Sequence, residues 1–392
     1  MPRITDLLVQ QLGTVSANYF ANVAEPAHKI LNMRDELVNG DSPLIRSFSP
    51  SDISDVSLTC VDGGSLLQQL AGGDLIVAAA TVGEGYKSKV VYGSDDAVPS
   101  EVYCEVLPHK QSNNDLLSAV RSMLELRVLG QTEADWRIID GAYLGNVSTF
   151  LYSLIKEGSE VRDAVLKASN YDFDGVLQDA MLELLNLGSV SNNIVAIPKS
   201  DSSVIFTKHV FEDEYEVGFK MTDRVLSGIV LRPGEFFVPR PLKSNDVVIQ
   251  RLMSVSKDND FVAKNKNSAS LWRLLEGKGE LLKALNVDEE TGVGKLYTTY
   301  FKPARFSTSS PSIKVEFNHL PDYGSLEERV EQVVSLIDAD IVDESMIEPW
   351  SQYFADVRAK EVSVGAEMIK NHLMSNVTTD YELSGLMRNY RT

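Results

Sequence analysis

The chain of 392 residues is long enough for one large domain with additions or for two domains. With 43% hydrophobic and 24% charged residues it has the composition of a globular protein, which excludes a mostly disordered or fibrous chain. The formal net charge of -19 argues against a protein that coats nucleic acid through bulk positive charge. No apolar run approaches the roughly 18 residues that a membrane-spanning helix needs, and polar residues interrupt the amino terminus where a secretory signal would be apolar.

The two cysteines, Cys60 and Cys104, provide neither a disulfide framework nor a metal-ligand spacing. Both lie in strand-like apolar runs, so we expect buried free thiols in a protein of a reducing compartment, the cytoplasm. The five histidines are scattered along the chain, and we therefore expect no structural zinc site.

The first 40 residues predict helices, because Leu8, Leu12 and Val15 recur at helical spacing and a second apolar stripe follows at 30–37. Turn-forming residues at 39–43 end this region, so residues 1–49 are interpreted as an N-terminal helical extension. The pattern then changes to short extended runs whose connections are too short for crossover helices, which predicts antiparallel strands. These runs are at 56–62, 74–82, 89–93 and 101–108.

A strong helical pattern from Asn113 to Gly130 comes next, and a short buried strand follows it at 136–140. Further helices are predicted at 148–166, 176–187, 269–285, 325–337 and 350–373, and further strands at 192–198, 203–208, 295–302 and 312–317. Three strands, a helix, a strand and another helix, with a final helix far downstream, are the element order of a ribonuclease-H-like core. The predicted fold class is therefore α/β, with a ribonuclease-H-like mixed sheet flanked by helices, N-terminal helices and inserted helical segments. The main domain would span residues 50–392, with insertions at about 160–190 and 240–290.

Three acidic residues occupy positions where such a core would hold metal ions. Asp62 lies near the end of the first strand, Glu125 within the first core helix, and Asp140 at the end of the fourth strand, which should lie beside the first. Two divalent ions about 3.5–4 Å apart can activate a water and stabilise the leaving oxygen of a phosphodiester, and Mg²⁺ or Mn²⁺ prefers oxygen ligands. Each residue alone is more often a turn or a solvated side chain, but the combination indicates a two-metal site.

Several segments, taken in chain order, resemble one known family. CVDGGS at 60–65 and IIDGAYLG at 138–145 are Asp-Gly segments that follow strands, and MLELRVL at 123–129 carries the helical glutamate. Later segments are IVAIPKS at 194–200, MTDRVLSGIVLRPGE at 221–235, YFKPAR at 300–305, IKVEF at 313–317 and PWSQYFADVRAKEVS at 349–363. Together they resemble the NurA nuclease family from about residue 55 onward. The last segment departs from it, because Asp356 stands where a histidine is usual and Glu348 where a tyrosine is usual.

The resemblance implies a metal-dependent DNA nuclease that acts as a single-strand endonuclease and a 5′–3′ exonuclease, with Mn²⁺ (or Mg²⁺) as cofactor. Asp62, Glu125 and Asp140 would be catalytic metal ligands, with Asp356 as a fourth. The resemblance also implies a homodimer that processes DNA ends with a HerA-type hexameric ATPase in break repair. Phage defence and phage DNA processing are variants that the sequence leaves open.

Four other residues are candidate DNA contacts. Lys199 follows a strand and could reach a phosphate, while Lys302 and Arg305 could contact the backbone, although solvated positions are equally consistent. Tyr300 could stack on a base of single-stranded DNA, although aromatic residues at strand spacing more often belong to the core. Residues 232–283 carry ten Lys/Arg against six Asp/Glu, and charges are screened beyond roughly 8 Å, so the net charge does not fix the sign of a groove.

Two other classes of protein compete with the nuclease. A non-catalytic DNA-end clamp or adaptor of the same fold for an ATPase ring is favoured by the missing histidine and tyrosine, and opposed by the retained carboxylates. An actin-like or sugar-kinase-like ATPase would need a second phosphate-binding Asp-Gly turn and an adenosine-binding glycine pair in a duplicated half, and the sequence lacks that duplication.

Overall fold

The amino-terminal region is helical, as its apolar spacing predicts. It comprises α1 (Ile4–Tyr19), a π-helical turn (Phe20–Ala24), α2 (Glu25–Asn32) and α3 (Arg34–Asn39). Every described side chain of α1 is exposed, whereas Ile30 of α2 and Leu37 of α3 are fully buried. The apolar stripe of α2 and α3 therefore packs on the core, and the stripe of α1 faces solvent.

The computed structural model describes residues 4–70, 72–92, 98–150, 193–199, 203–218, 220–242, 287–288, 292–320 and 324–377. The predicted helices at 176–187 and 269–285, that at 148–166 beyond residue 150, and most of the predicted insertions lie outside these residues. Within them, no helix combines the length and apolar character needed to cross a membrane.

Eleven strands of the described residues form a single mixed sheet in the order β1-β7-β10-β11-β6-β5-β2-β3-β4, with β8 and β9 paired to β10. Its strands are β1 (Ile45–Ser47), β2 (Leu58–Leu70), β3 (Gly73–Glu84), β4 (Ser100–Leu107), β5 (Trp136–Asp140), β6 (Ile194–Ile197), β7 (Glu235–Phe237), β8 (Arg240–Leu242), β9 (Val287–Asp288), β10 (Gly292–Lys302) and β11 (Ile313–Asn318). Strand β5 runs parallel to β2 and β6, and the other pairs are antiparallel. The segment β4-β3-β2-β5-β6 is the predicted ribonuclease-H-like core.

Helices cover both faces of this sheet, because successive strand residues alternate between two cores. The remaining helices are α4 (Asn113–Gln131), α5 (Asp223–Val230), α6 (Leu326–Ala339), α7 (Trp350–Ala359) and α8 (Glu361–Val377). Val61 and Ile139 pack in the cluster that includes α4, whereas Cys60 and Ile138 pack in the cluster that includes α6 and α7. The core helix α4 and the late helix α7 therefore lie on opposite faces of β2 and β5.

Two predicted strands are wrong, and hydrogen bonds accepted by the carboxylates of Asp223 and Glu84 explain why. Residues 205–212 are helical, because Asp223 accepts hydrogen bonds from the Thr207 amide and the Ser203 hydroxyl, each at 2.8 Å. Residues 89–92 form no strand, since Glu84 Oε1 accepts hydrogen bonds from the backbone amides of Val91 and Tyr92, at 2.8 and 3.0 Å. In both places a side chain binds backbone groups that a sheet would otherwise pair.

Two smaller predictions also need correction. The predicted helix at 350–373 is two helices, since α7 ends at Ala359 and α8 begins at Glu361. Cys60 is buried as expected, but Cys104 is exposed, because alternate side chains of β4, at the edge of the sheet, point to solvent.

Candidate metal centre

The two predicted aspartates meet where β2 and β5 part. The parallel pairing of these strands ends at Val61 and Ile139, so Asp62 and Asp140 come directly after the last paired residues. Strand β2 continues to Leu70, with Asp62 opposite Thr81 of β3, so the prediction that Asp62 ends its strand at a turn is wrong. Asp140 does end β5, as predicted.

Two glycines after Asp62 let a helix approach β2 from each face. A Cβ on Gly63 would lie 2.3 Å from Oε1 of Glu125 in α4, and a Cβ on Gly64 would lie 2.1 Å from the carbonyl oxygen of Ala359 in α7. Real Cβ atoms do not approach other atoms so closely, so any larger residue would push the helices away. The Asp-Gly-Gly sequence therefore serves close packing, and it brings the helices that carry Glu125 and Asp356 to the same stretch of strand.

Lys199 joins three carboxylates from different elements. Its Nζ lies 2.7 Å from Asp140, 3.3 Å from Glu348 and 3.4 Å from Asp356. Burial lowers the pKa of the lysine, but the hydrogen bond and attraction to Asp140, with the negative charges of Glu348 and Asp62, outweigh it and raise that pKa. At Asp356, hydrogen bonds and attraction from Lys360 and Lys199 outweigh burial and lower the pKa. The structure thus brings the predicted residues Lys199, Asp140 and Asp356 together.

Asp62 and Glu125 lie close enough to Asp140 for its negative charge to raise their pKa values. Burial raises the pKa of Asp62 to about 8, with further contributions from the negative charges of Asp140 and Glu125. Burial also raises the pKa of Glu125 to about 7, although Arg121, whose Nε lies 3.5 Å away, opposes the shift. These carboxyls therefore hold a proton more readily than exposed ones, as expected where several acids crowd together.

Glu348 and Gln352 also belong to this site, although neither is among the predicted site residues. Gln352 is fully buried, and its Nε2 donates to Asp140 Oδ1 at 2.7 Å and to the Ile197 carbonyl at 3.1 Å. A signal was present, because positions 348, 352 and 356 are four residues apart and so recur on one side of a helix. Glu348 lies just before α7, while Gln352 and Asp356 are one turn apart on that helix, so the three side chains reach the site from the same segment.

The donor chemistry of the cluster fits a divalent cation. Carboxylates supply hard oxygen ligands, and the Oε1 atom of Gln352 is buried without a hydrogen-bond partner in the described part of the chain. In that same part, no three His, Cys, Asp or Glu residues are arranged to hold a metal ion in the present conformation. Lys199 instead supplies the positive charge among Asp140, Glu348 and Asp356.

Two of the four predicted DNA contacts are wrong. Lys302 is fully buried, and its Nζ donates to the carbonyls of Gly228 and Thr308 at 2.7 and 2.8 Å. Tyr300 is also fully buried, and its ring packs edge-on against Phe206 at 5.8 Å. Both side chains point into the interior from β10, so neither reaches a ligand at the surface, whereas Arg305 in the following loop is exposed.

An open groove of about 470 Å³ lies next to α7, and its lining does not include Asp62, Asp140 or Asp356. It lies between β3 and β4 on one side and the junction of α7 and α8 on the other. Its wall is mostly apolar and includes Thr81, the strand partner of Asp62, and Arg358, two residues after Asp356. Through these two residues the groove is close to the carboxylate cluster in the chain, but it is not part of that cluster.

This sheet order, with carboxylates gathered where two parallel strands part, defines the ribonuclease-H-like class. Within that class the chain has a NurA-like fold, as its motifs predict. It is similar to the crystal structure of the NurA nuclease from Sulfolobus solfataricus, with a TM-score of 0.55 over 97% of this chain and 98% of that chain. The two sequences are 13% identical, so the likeness shows the fold alone.

The likeness to a crystal structure of NurA with manganese is weaker. The match covers 91% of this chain and 98% of that chain, with 10% sequence identity and a TM-score of 0.44. No family model and no curated protein matches the sequence.

Proposed function

We propose that this protein is a metal-dependent nuclease that hydrolyses phosphodiester bonds of DNA. The observation that carries the proposal is the gathering of Asp140, Glu348 and Asp356 around Lys199, beside Asp62, where β2 and β5 part. A fold can host many activities, and the carboxylates rather than the fold favour hydrolysis.

The proposed metal ligands are Asp62, Glu125, Asp140 and Asp356, with Glu348 added from the geometry of the site. A bound Mn²⁺ or Mg²⁺ ion would supply Lewis-acid charge and an acidic water, as in two-metal phosphodiesterases. Gln352 would hold Asp140 in its present orientation through the 2.7 Å hydrogen bond. Asp62, which retains its proton easily in this environment, would release it when a cation arrives.

The apolar groove between β3, β4 and the junction of α7 and α8 would hold a single strand as the proposed substrate. Its apolar wall suits unpaired bases better than phosphates, which would remain at the open side. Arg305 stays a proposed backbone contact, because its side chain is exposed. A net charge of -19 predicts weak unassisted binding that depends steeply on salt.

The proposed partners are those that the resemblance to the NurA family implies. A HerA-type hexameric ATPase would deliver DNA ends to a chain whose net charge repels them, in end resection or a related process in the cytoplasm. The solvent-facing stripe of α1, which includes Leu8, Leu12 and Val15, supports a homodimer, since a helix with an exposed apolar stripe and one acidic residue in its first turn can pair with its own copy.

The test is cleavage of labelled single-stranded and duplex DNA with Mn²⁺, Mg²⁺ or EDTA. We expect metal-dependent cutting that Asp62→Asn and Asp140→Asn abolish and that Asp55→Asn, at an exposed carboxylate, retains. Thermal melts check that the variants are folded. A wild-type protein that cuts nothing with either metal, alone or with the ATPase, would favour the adaptor function instead.

A further inference from the structure

We propose that Lys199 is a built-in counter-cation of the metal centre, whose ammonium group takes the place of a divalent ion and must be displaced before the metal binds. This inference deepens the proposed function, because the metal concerned is the one that the nuclease would require. Lys199 would stabilise the site before a metal ion binds, which is a role other than direct contact with DNA.

The geometry around Lys199 resembles coordination of a cation. Its Nζ lies within 3.4 Å of carboxylate oxygens of Asp140, Glu348 and Asp356, which come from the end of β5, the segment before α7 and α7 itself. Three negative charges so close together would repel each other without a cation between them. The lysine therefore stabilises the arrangement in which these elements meet.

The backbone of Lys199 is held in place on both sides. Its own carbonyl accepts a hydrogen bond from Arg224 of α5, and the carbonyl of Ile197, two residues earlier, accepts one from Gln352 at 3.1 Å. The main chain thus delivers the side chain to the carboxylates from a fixed position. A cation tethered in this way competes with a free ion at a high effective concentration.

A second lysine at the same carboxylate provides a contrast. Lys360 lies 2.5 Å from the other oxygen of Asp356, but its side chain is 72% exposed and its described ion pair is with Asp356 alone. Lys199 is 40% exposed and bridges three acids. Removing Lys199 should therefore free the ligand set, whereas removing Lys360 should leave it bridged.

The test is calorimetric titration of the full chain with Mn²⁺, without DNA. We expect Lys199→Met to bind Mn²⁺ about tenfold more tightly than the wild type or better, which is about 1.4 kcal/mol. Lys199→Arg, which keeps the charge, should not tighten binding, and Lys360→Met should change the Kd by less than about threefold. Lys199→Gln removes the charge but keeps a donor for Asp140. If Lys199→Met does not fold, Lys199→Gln takes its place and should also bind Mn²⁺ more tightly than the wild type.

A second readout is thermal stability. In EDTA, Lys199→Met should melt below the wild type because the three carboxylates lose their cation, and Mn²⁺ should raise its melting temperature by more than that of the wild type. Equal or weaker Mn²⁺ binding by the neutral variants, equal tightening by Lys360→Met, or no Mn²⁺ binding by any variant would overturn the inference. A protein that binds Mn²⁺ in this pattern but cuts no DNA would keep the inference and reject the nuclease.

Discussion

Gln352 of α7 holds Asp140 of β5 by a hydrogen bond of 2.7 Å from its Nε2 to Oδ1. The other oxygen of Asp140, Oδ2, lies 2.7 Å from Nζ of Lys199, so each carboxylate oxygen is bound by a side chain from a different element. The orientation of this central carboxylate is therefore set by α7 and by the segment after β6, two parts of the chain that lie far from it in sequence.

Replacing Gln352 by leucine should destabilise the protein and impair the site. The change removes the donor to Asp140 and to the Ile197 carbonyl and leaves buried acceptors unpaired, which costs about 1–3 kcal/mol. Urea denaturation in EDTA measures the loss, and DNA cleavage measures the effect on the site. Gln131→Leu, at an exposed glutamine, should stay within about 0.5 kcal/mol of the wild type. A Gln352→Leu variant with wild-type stability and cleavage would contradict the role given to this side chain.

Gly64→Ala should be strongly destabilising. The new methyl group would lie 2.1 Å from the backbone oxygen of Ala359, so α7 would have to move away from β2, at a cost of about 1–3 kcal/mol or more. Chemical denaturation measures the effect. Gly365→Ala in α8 is the matched control, because its methyl group would meet nothing within 4 Å and alanine favours a helix, which predicts a gain of about 0.5–1 kcal/mol. Similar effects at both positions would argue against the close approach of α7.

Without metal, the protein should become less stable as the pH rises from about 6 to about 8, above the range in which carboxyls with a lowered pKa, such as Asp356, add stability. The folded state raises the pKa of Asp62 from 3.8 to about 8 and that of Glu125 from 4.5 to about 7, mainly through burial. Asp340, buried and raised to about 7, acts in the same direction. Because the folded state binds these protons more tightly than the unfolded state, their contribution is complete below the unfolded pKa values and is lost as the pH passes the folded ones.

Thermal melts in EDTA at a series of pH values test this dependence. Asp62→Asn should melt at a higher temperature than the wild type near pH 8 and should show a flatter profile, because the amide has no proton to lose. Asp55→Asn, at an exposed carboxylate, should follow the wild type. A wild-type melting temperature that rises over this range would contradict the burial of these acids.

Lys302→Met should lower stability without a specific effect on DNA binding. The variant leaves the carbonyls of Gly228 and Thr308 without their donor, at a cost of about 1–3 kcal/mol. Arg305→Met, in the exposed loop, should stay within about 0.5 kcal/mol and should weaken DNA binding if this residue contacts the backbone. Denaturation curves and fluorescence anisotropy with labelled single-stranded DNA separate the two effects. Reduced DNA affinity of a fully stable Lys302→Met protein would count against its interior position.

Much of the core could be predicted from short-range patterns. The alternation in β4, the apolar stripe of α4 and the buried runs of β3 and β5 all reflect which side chains each element must bury, so their types and order follow from local sequence. The strand predicted at 203–208 is wrong because β-branched residues there indicate a strand, whereas Asp223, later in the chain, accepts hydrogen bonds that stabilise a helix. The interior positions of Lys302 and Tyr300 also escaped prediction, because residue type does not reveal which face of β10 is covered.

The ribonuclease-H-like order of elements and the carboxylates at 62, 125 and 140 follow from local sequence, because periodicity and chemical type are properties of neighbouring residues. Three features become visible in the folded chain alone: Asp62 lies inside a long strand, the glycines beside it admit two helices, and Glu348 and Gln352 join the site. Strand pairing, the approach of helices and charge compensation depend on residues far apart in the chain. Local sequence therefore does not reveal them, and they arise when the sheet brings those residues into contact.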